Sequence, residues 1–234
     1  MKVALFNDSF PPLIDGVANT VVNYAGYLTE DGHTAIAVTP KYPNVVDDYP
    51  FEVYRYSSLN LKGKMPYRIG NCMEPKAILD LCAKEPDILH VHCPFASSVL
   101  ARAVSNAMNH KAPIIFTYHT KFDIDINKYI RVPQFERVAN NFVMNNINHA
   151  DEVWAVTEGA GKWLQSLGYK GEYVVMPNGT DFSKGRASAD AVQTLRNKQD
   201  IAPEDKVLLF VGRTMWCKNI KLIADSLAEL KKPI

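Results

Sequence analysis

Short apolar runs alternate with segments whose apolar residues recur at helical spacing along almost the whole chain. The runs Val3–Phe6, Thr34–Thr39, Val53–Tyr56, Ile88–Val91, Ile114–Tyr118, Val153–Val156 and Tyr173–Met176 predict strands. Most are apolar or β-branched without polar alternation, as expected where helices cover both faces of a sheet. Between them, Asn19–Glu30, Pro75–Lys84, Ser97–Asn109, Pro133–Asn148 and Gly159–Leu167 predict helices. Gly32, Gly168 and Gly171 punctuate helix ends or the turns that follow. Strand–helix–strand alternation of this length implies right-handed crossovers. The expected fold is therefore α/β, an open, mostly parallel, doubly wound Rossmann-like sheet.

The pattern changes over Ser183–Asp205, whose start is polar and in which Ala191–Gln199 predicts a short helix. Val207–Val211 then predicts a new buried strand and Ile220–Leu230 the helix after it. The expected organisation is a first Rossmann-like domain over 1–182, a linker over 183–205, and over 206–234 the first strand and helix of a second, truncated Rossmann-like domain. A lone strand–helix pair cannot bury both its faces. Its apolar residues are expected to dock elsewhere, to move, or to pair with another copy, so self-association through this element is anticipated.

Composition narrows the partners. With 26 basic and 25 acidic side chains in 234 residues, no global field favours nucleic acid, which is not expected to bind. An apolar share of 47% suits a folded chain. Cys72, Cys82, Cys93 and Cys217 form no CxxC pair and no zinc spacing, so reduced thiols in a cytoplasmic setting are expected. No apolar run has the length of a membrane span or of a signal-peptide core. Peripheral contact with the inner face of a membrane remains an expectation.

Ligands of open α/β sheets bind beyond the carboxyl ends of the strands. That rule selects Asp8–Val17, His90–Pro94, Tyr118–Asp123, Thr157-Glu158 and Asn178–Asp181, and four of these five stretches hold His, Asp or Glu. Gly16 stands at a helix start, where backbone N–H groups and the helix dipole favour an anion, although a glycine there also serves a tight turn. No GxGxxG is present, so a dehydrogenase-type dinucleotide site loses support. His119 directly follows a strand, and histidine is a good donor to a sugar hydroxyl or a phosphate. His90 and His92 share a strand face and, with His119, form a set capable in principle of binding metal. No carboxylate that would orient such ligands can be assigned, and no metal is expected. Pro177-Asn178-Gly179 reads locally as a turn. Val211-Gly212-Arg213 with Lys218 places two cations near a helix start, a plausible clamp for a diphosphate.

Together these segments resemble the family-4 glycosyltransferases, retaining enzymes built from two facing Rossmann-like domains (the GT-B architecture). The resemblance rests on Phe10-Pro-Pro-Leu-Ile-Asp-Gly-Val17, Gly32-His33, Asp87-Ile-Leu-His-Val-His92, Tyr118-His-Thr120, Pro177-Asn-Gly-Thr-Asp181, and Val211-Gly-Arg213 with Lys218-Asn219, in that order. It implies an acceptor-side first domain and a second domain holding most of a nucleoside-diphosphate sugar. It implies further that the backbone at Gly16 faces the donor phosphates, that His119 contacts the transferred sugar, and that Arg213 and Lys218 neutralise the departing diphosphate, with no metal or other cofactor required. Asp15, Asp123 and Asn178 are the acceptor-side candidates. Asp15-Gly16, where many relatives have paired glycines, looks like the branch acting on lipids, such as diacylglycerol glucosyltransferases and phosphatidylinositol mannosyltransferases.

Lys62, Lys64, Arg68, Lys121, Lys128, Arg131 and Arg137 are candidates to face anionic headgroups. Met215-Trp216-Cys217 departs from the family, whose members often carry an acidic residue before the lysine. The paired glutamates that hold the donor sugar in the family would lie beyond Ile234. The expected function is retaining transfer of a sugar from a nucleoside-diphosphate sugar to a lipid or glycan acceptor, with this polypeptide inactive by itself. The alternatives are another GT-B enzyme, such as a sugar-nucleotide epimerase, and a non-catalytic binding or assembly module.

Overall fold

A computed structural model describes residues 1–13, 15–60, 68–129, 132–179, 185–212 and 218–229, apart from the side chains at 125 and 127–129. The chain divides into two compact units, Met1–Asp181 and Phe182–Ile234.

In the first unit, β1 (Lys2–Phe6), β2 (Thr34–Pro40), β3 (Glu52–Tyr56), β6 (Ile88–Val91), β7 (Ile114–Tyr118), β8 (Glu152–Ala155) and β9 (Val174–Val175) form one sheet in the order β3-β2-β1-β6-β7-β8-β9. Every pairing in it is parallel. A separate antiparallel pair, β4 (Ser58–Asn60) and β5 (Arg68–Gly70), was not foreseen. The helices are α1 (Gly16–Glu30), α2 (Pro75–Ala83), α3 (Ala96–Ala107), α4 (Phe122–Tyr129), α5 (Pro133–Asn148) and α6 (Glu158–Ser166). Of these, α4 was also unforeseen.

Both sheet faces are buried, as the unbroken apolar runs require. Val3 and Leu5 of β1 and Ala35 and Ala37 of β2 pack on one face against Val21 and Ala25 of α1. Ala4, Phe6, Ile36, Val38, Leu89 and Val91 point the other way into a larger core. There they meet Leu81 of α2, Leu100 and Val104 of α3, Val143 and Ile147 of α5, and Leu164 of α6. Right-handed crossovers account for the split. The chain steps in one direction from β1 to β2 and in the opposite direction from β6 to β9, so α1 falls on one face and the later helices on the other.

Local sequence sets the helix ends. Asp15 caps α1, its Oδ1 accepting from the N–H of Val17 at 2.8 Å and of Ala18 at 3.3 Å. The far end closes through Gly32 at φ +79, with the His33 N–H reaching back to the Leu28 carbonyl at 2.8 Å. Pro75 and Pro133 open α2 and α5, where a missing N–H removes no helical bond. At the amino-terminal edge of the sheet, Asp87 Oδ2 accepts from the N–H of Lys2, and Asp151 Oδ2 from that of Ile114, each at 2.7 Å.

The second unit contains α7 (Ala189–Lys198) and α8 (Ile220–Glu229), neither with a buried residue. Here the structure corrects the sequence. Val207–Val211, expected as a buried strand, has no strand pairing, and Leu209 and Val211 are each 83% exposed. A strand is held by its neighbours' hydrogen bonds, and this unit offers no partner strand among its described residues. β9 is likewise shorter than the expected Tyr173–Met176.

Candidate functional site at the sheet switch point

β1 and β6 lie side by side, and the chain leaves them in opposite directions. At such a topological switch point the loops after the two strands part and open a crevice beyond their carboxyl ends. Asn7 to Asp15 follow β1, His92 to Phe95 follow β6, and His119 follows β7 at this same edge.

The crevice floor is polar and fully packed. Asp8 is half-buried and reaches across to the start of α3: Oδ1 accepts from the Ser97 N–H at 3.0 Å and Oδ2 from the Ser97 hydroxyl at 2.9 Å. One carboxylate thus caps a helix 89 residues away in sequence. Burial pushes the Asp8 carboxyl above its ordinary value, and the Ser97 bonds partly offset this. Burial, then the Asp8 charge, raises the Cys93 thiol well above its usual range and keeps it protonated. The Tyr56 hydroxyl lies beside Asp8, buried and without a hydrogen bond of ordinary geometry. From below, Asn146 of α5 donates Nδ2 to the Pro94 carbonyl at 2.8 Å, while Arg102 of α3 holds the Asn146 Oδ1 at 2.8 Å. The loop after β6 is therefore braced by two helices.

Three histidines line the α1 side. His90 and His92 occupy alternate positions of the β6 run, so both face α1, with their rings 4.1 Å apart. Tyr24 of α1 packs edge-on to His90 at 5.4 Å. His90 Nε2 bonds Thr117 Oγ1 at 2.7 Å, and His92 Nδ1 bonds His119 Nε2 at 2.9 Å. Burial drives His90 down to about 3 and His92 well below its ordinary value, with neighbouring histidines adding to both. Burial lowers His119 to about 4, opposed by the nearby Asp15 carboxylate. All three rings are neutral at physiological pH. One nitrogen of each ring is engaged, His90 Nε2 with Thr117 and His92 Nδ1 with His119 Nε2, and no group of three or more His, Cys, Asp or Glu among the described residues is arranged to hold a metal ion.

The other candidates fall in different places. Gly16 is the first residue of α1, lacks a positive φ, and a Cβ there would meet nothing within 4 Å. Neither a positive φ nor close packing calls for glycine at this position, and its surface is open. Asp15 is the helix cap described above, so its carboxylate already occupies part of the anion position at the α1 N-terminus. Asp123 does not join His119. It lines a cavity of about 270 Å³ with Tyr118, Val143 and Leu164 on the opposite sheet face, and its Oδ1 accepts from Trp163 Nε1 at 3.1 Å. Asn178 is exposed beyond β9 at the carboxyl edge. Lys218 is exposed just before α8 in the second unit, and Arg213 lies outside the described residues. Asp8, Ser97 and Asn146 were missed individually. Only the general position of Asp8 after a strand signalled it.

A parallel sheet with its polar groups gathered at a switch point defines a Rossmann-like ligand-binding domain. The model of Glycosyltransferase Family 4 matches residues 14–184, and the chain belongs to that family. It is 24% identical over 237 residues to an alpha-monoglucosyldiacylglycerol synthase of Streptococcus pneumoniae, covering 99% of this chain and 53% of the relative. It is 30% identical over 229 residues to a GDP-mannose-dependent alpha-mannosyltransferase of Corynebacterium glutamicum, covering 96% of this chain and 54% of that one. The chain thus spans about half the length of these relatives. Among solved structures, sucrose-phosphate synthase from Thermosynechococcus elongatus superposes with a TM-score of 0.70 at 17% identity, over 99% of this chain and 60% of that one, a likeness of fold.

Proposed function

We propose that the chain supplies the acceptor-side domain of a retaining glycosyltransferase that moves a sugar from a nucleoside-diphosphate donor to a lipid acceptor. The observation that carries this reading is the neutral His92–His119 pair beside the N-terminus of α1, where the surface at Gly16 is open, in a chain of Glycosyltransferase Family 4. A neutral imidazole can hydrogen-bond a sugar hydroxyl without adding charge to the site, and helix N–H groups favour a phosphate. Arg213 and Lys218 are proposed to neutralise the leaving diphosphate, and no cofactor or metal is required in this scheme.

A lipid acceptor is favoured over a soluble glycan by α5. Val132, Phe135, Val138 and Phe142, spaced along one side of it, are 46, 65, 65 and 45% exposed. An apolar stripe of this kind on a helix suits shallow insertion among headgroups and acyl chains. No helix among the described residues is long and apolar enough to cross a membrane. Of the basic residues expected to face headgroups, Arg68 is engaged with Ser58, its Nε donating to the hydroxyl at 2.8 Å. Lys121 sits 3.8 Å over the Trp163 ring. Arg137 is exposed, while Lys62, Lys64 and Arg131 and the side chain of Lys128 lie outside what is described.

The test is a transfer assay on the protein that carries this chain, using UDP-glucose and GDP-mannose with vesicles containing diacylglycerol or its monoglycosylated form. An α-linked glycolipid product that disappears in His119→Ala supports the reading. A β-linked product, or conversion of the sugar nucleotide to its epimer, overturns it.

A further inference from the structure

The contact between His92 and His119 fixes more than a distance. Both rings are neutral, and a neutral imidazole carries one N–H and one lone pair. At 2.9 Å between His92 Nδ1 and His119 Nε2, one nitrogen donates and the other accepts, so the proton position on either ring decides both. Two arrangements are available. In the first, His119 donates from Nε2, and His92 then carries its own proton on Nε2. In the second, His92 donates from Nδ1, and His119 carries its proton on Nδ1.

The two outer nitrogens, His92 Nε2 and His119 Nδ1, are both buried without a hydrogen-bond partner. The first arrangement strands an N–H on His92, a residue 0% exposed and walled by the rings of Tyr24 and His90. Stranded buried N–H groups are rarer in proteins than under-used acceptors, because the donor has no second way to be satisfied. The second arrangement leaves only a lone pair on His92 and moves the spare N–H to His119 Nδ1, an atom that is buried as well but belongs to a residue that is itself only half-buried. The Asp15 carboxylate lies within electrostatic reach of that ring, and a negative charge favours an N–H over a lone pair on its unengaged edge.

We infer that His92 is a positioning residue, which donates from Nδ1 to His119 and thereby locks His119 in its Nδ1–H form. The single N–H of His119 is then on Nδ1, the buried nitrogen. This proton position does not depend on the proposed function.

The test is long-range ¹⁵N–¹H correlation spectroscopy of the histidine rings at pH 7.5 in the ligand-free protein, with His119 assigned by its loss in His119→Gln. His119 should show a protonated Nδ1 and a bare Nε2. His92→Asn should preserve that pattern, since its amide can donate from close to the place of Nδ1. His92→Leu removes the donor, and His119 should pass to the Nε2–H form that unconstrained imidazoles prefer. A proton on His119 Nε2 in the unaltered protein overturns the inference, as does an unchanged ring in His92→Leu. Should the leucine variant not fold, the unaltered and asparagine spectra decide. No sugar nucleotide is present, so this outcome and that of the transfer assay are read separately.

Discussion

At the residue scale, the crevice is held by buried polar groups whose titration has a definite sign. His90 and His119 have folded values of about 3 and about 4, below the ordinary 6.5. The unfolded chain therefore binds protons first, and stability present above pH 6.5 is lost as the pH falls toward those values. The loss is on the order of a few kcal/mol and is readable as a drop in urea midpoint between pH 6.5 and 4. Asp8 runs the other way. Its folded value is raised by burial, so its contribution is greatest below 3.8 and declines as the pH rises through the folded value. Asp8→Asn keeps an acceptor for the Ser97 N–H and removes the charge. The melting temperature of this variant relative to the unaltered protein should therefore rise between pH 4 and 8. Asp8→Ala, which strands that N–H, should cost about 2 kcal/mol. Little of this was legible beforehand. The sequence placed His90 and His92 on one strand face and grouped them with His119, but a bond between rings 27 residues apart depends on the register between strands, which no local pattern encodes.

At the element scale, the strands were the most legible part, because a strand buried on both faces reads as an unbroken apolar run. Two elements escaped. α4 is spelled Phe122-Asp-Ile-Asp-Ile-Asn-Lys-Tyr129, alternating apolar and polar in the manner of a strand. Tertiary contacts override that period, with Ile126 buried and Asp123 fixed by Trp163. The β4–β5 pair has a single apolar side chain in each strand, Leu59 and Ile69, and so offered no signal. Val207–Val211 shows the converse, an apolar run that stays unpaired. The exposed stripe of α5 should be separable from folding. Phe135→Ser with Phe142→Ser should lower sedimentation with anionic vesicles several-fold, yet shift stability by no more than about 0.5 kcal/mol per site, as surface changes do. A large fall in melting temperature would mean the two rings are core residues after all.

For the whole molecule, the two units should differ in cohesion. Limited proteolysis is expected to cut within 185–212, where side chains are largely exposed, well before it cuts the seven-stranded sheet. The exposed run of Val207, Leu208, Leu209 and Val211 should drive concentration-dependent association in sedimentation velocity, which Leu209→Lys should weaken. The parallel sheet also divides labour between its two rims. Buried and half-buried polar groups crowd the carboxyl rim, whereas at the opposite rim the carboxylates of Asp87 and Asp151 accept from the N–H groups of Lys2 and Ile114. The exposed turn at Asn109-His110-Lys111, which enters β7 from that opposite rim, is therefore a place where a fluorophore or an inserted peptide can be grafted without touching the crevice. A label placed there sits across the length of the sheet from the crevice and leaves its polar groups undisturbed.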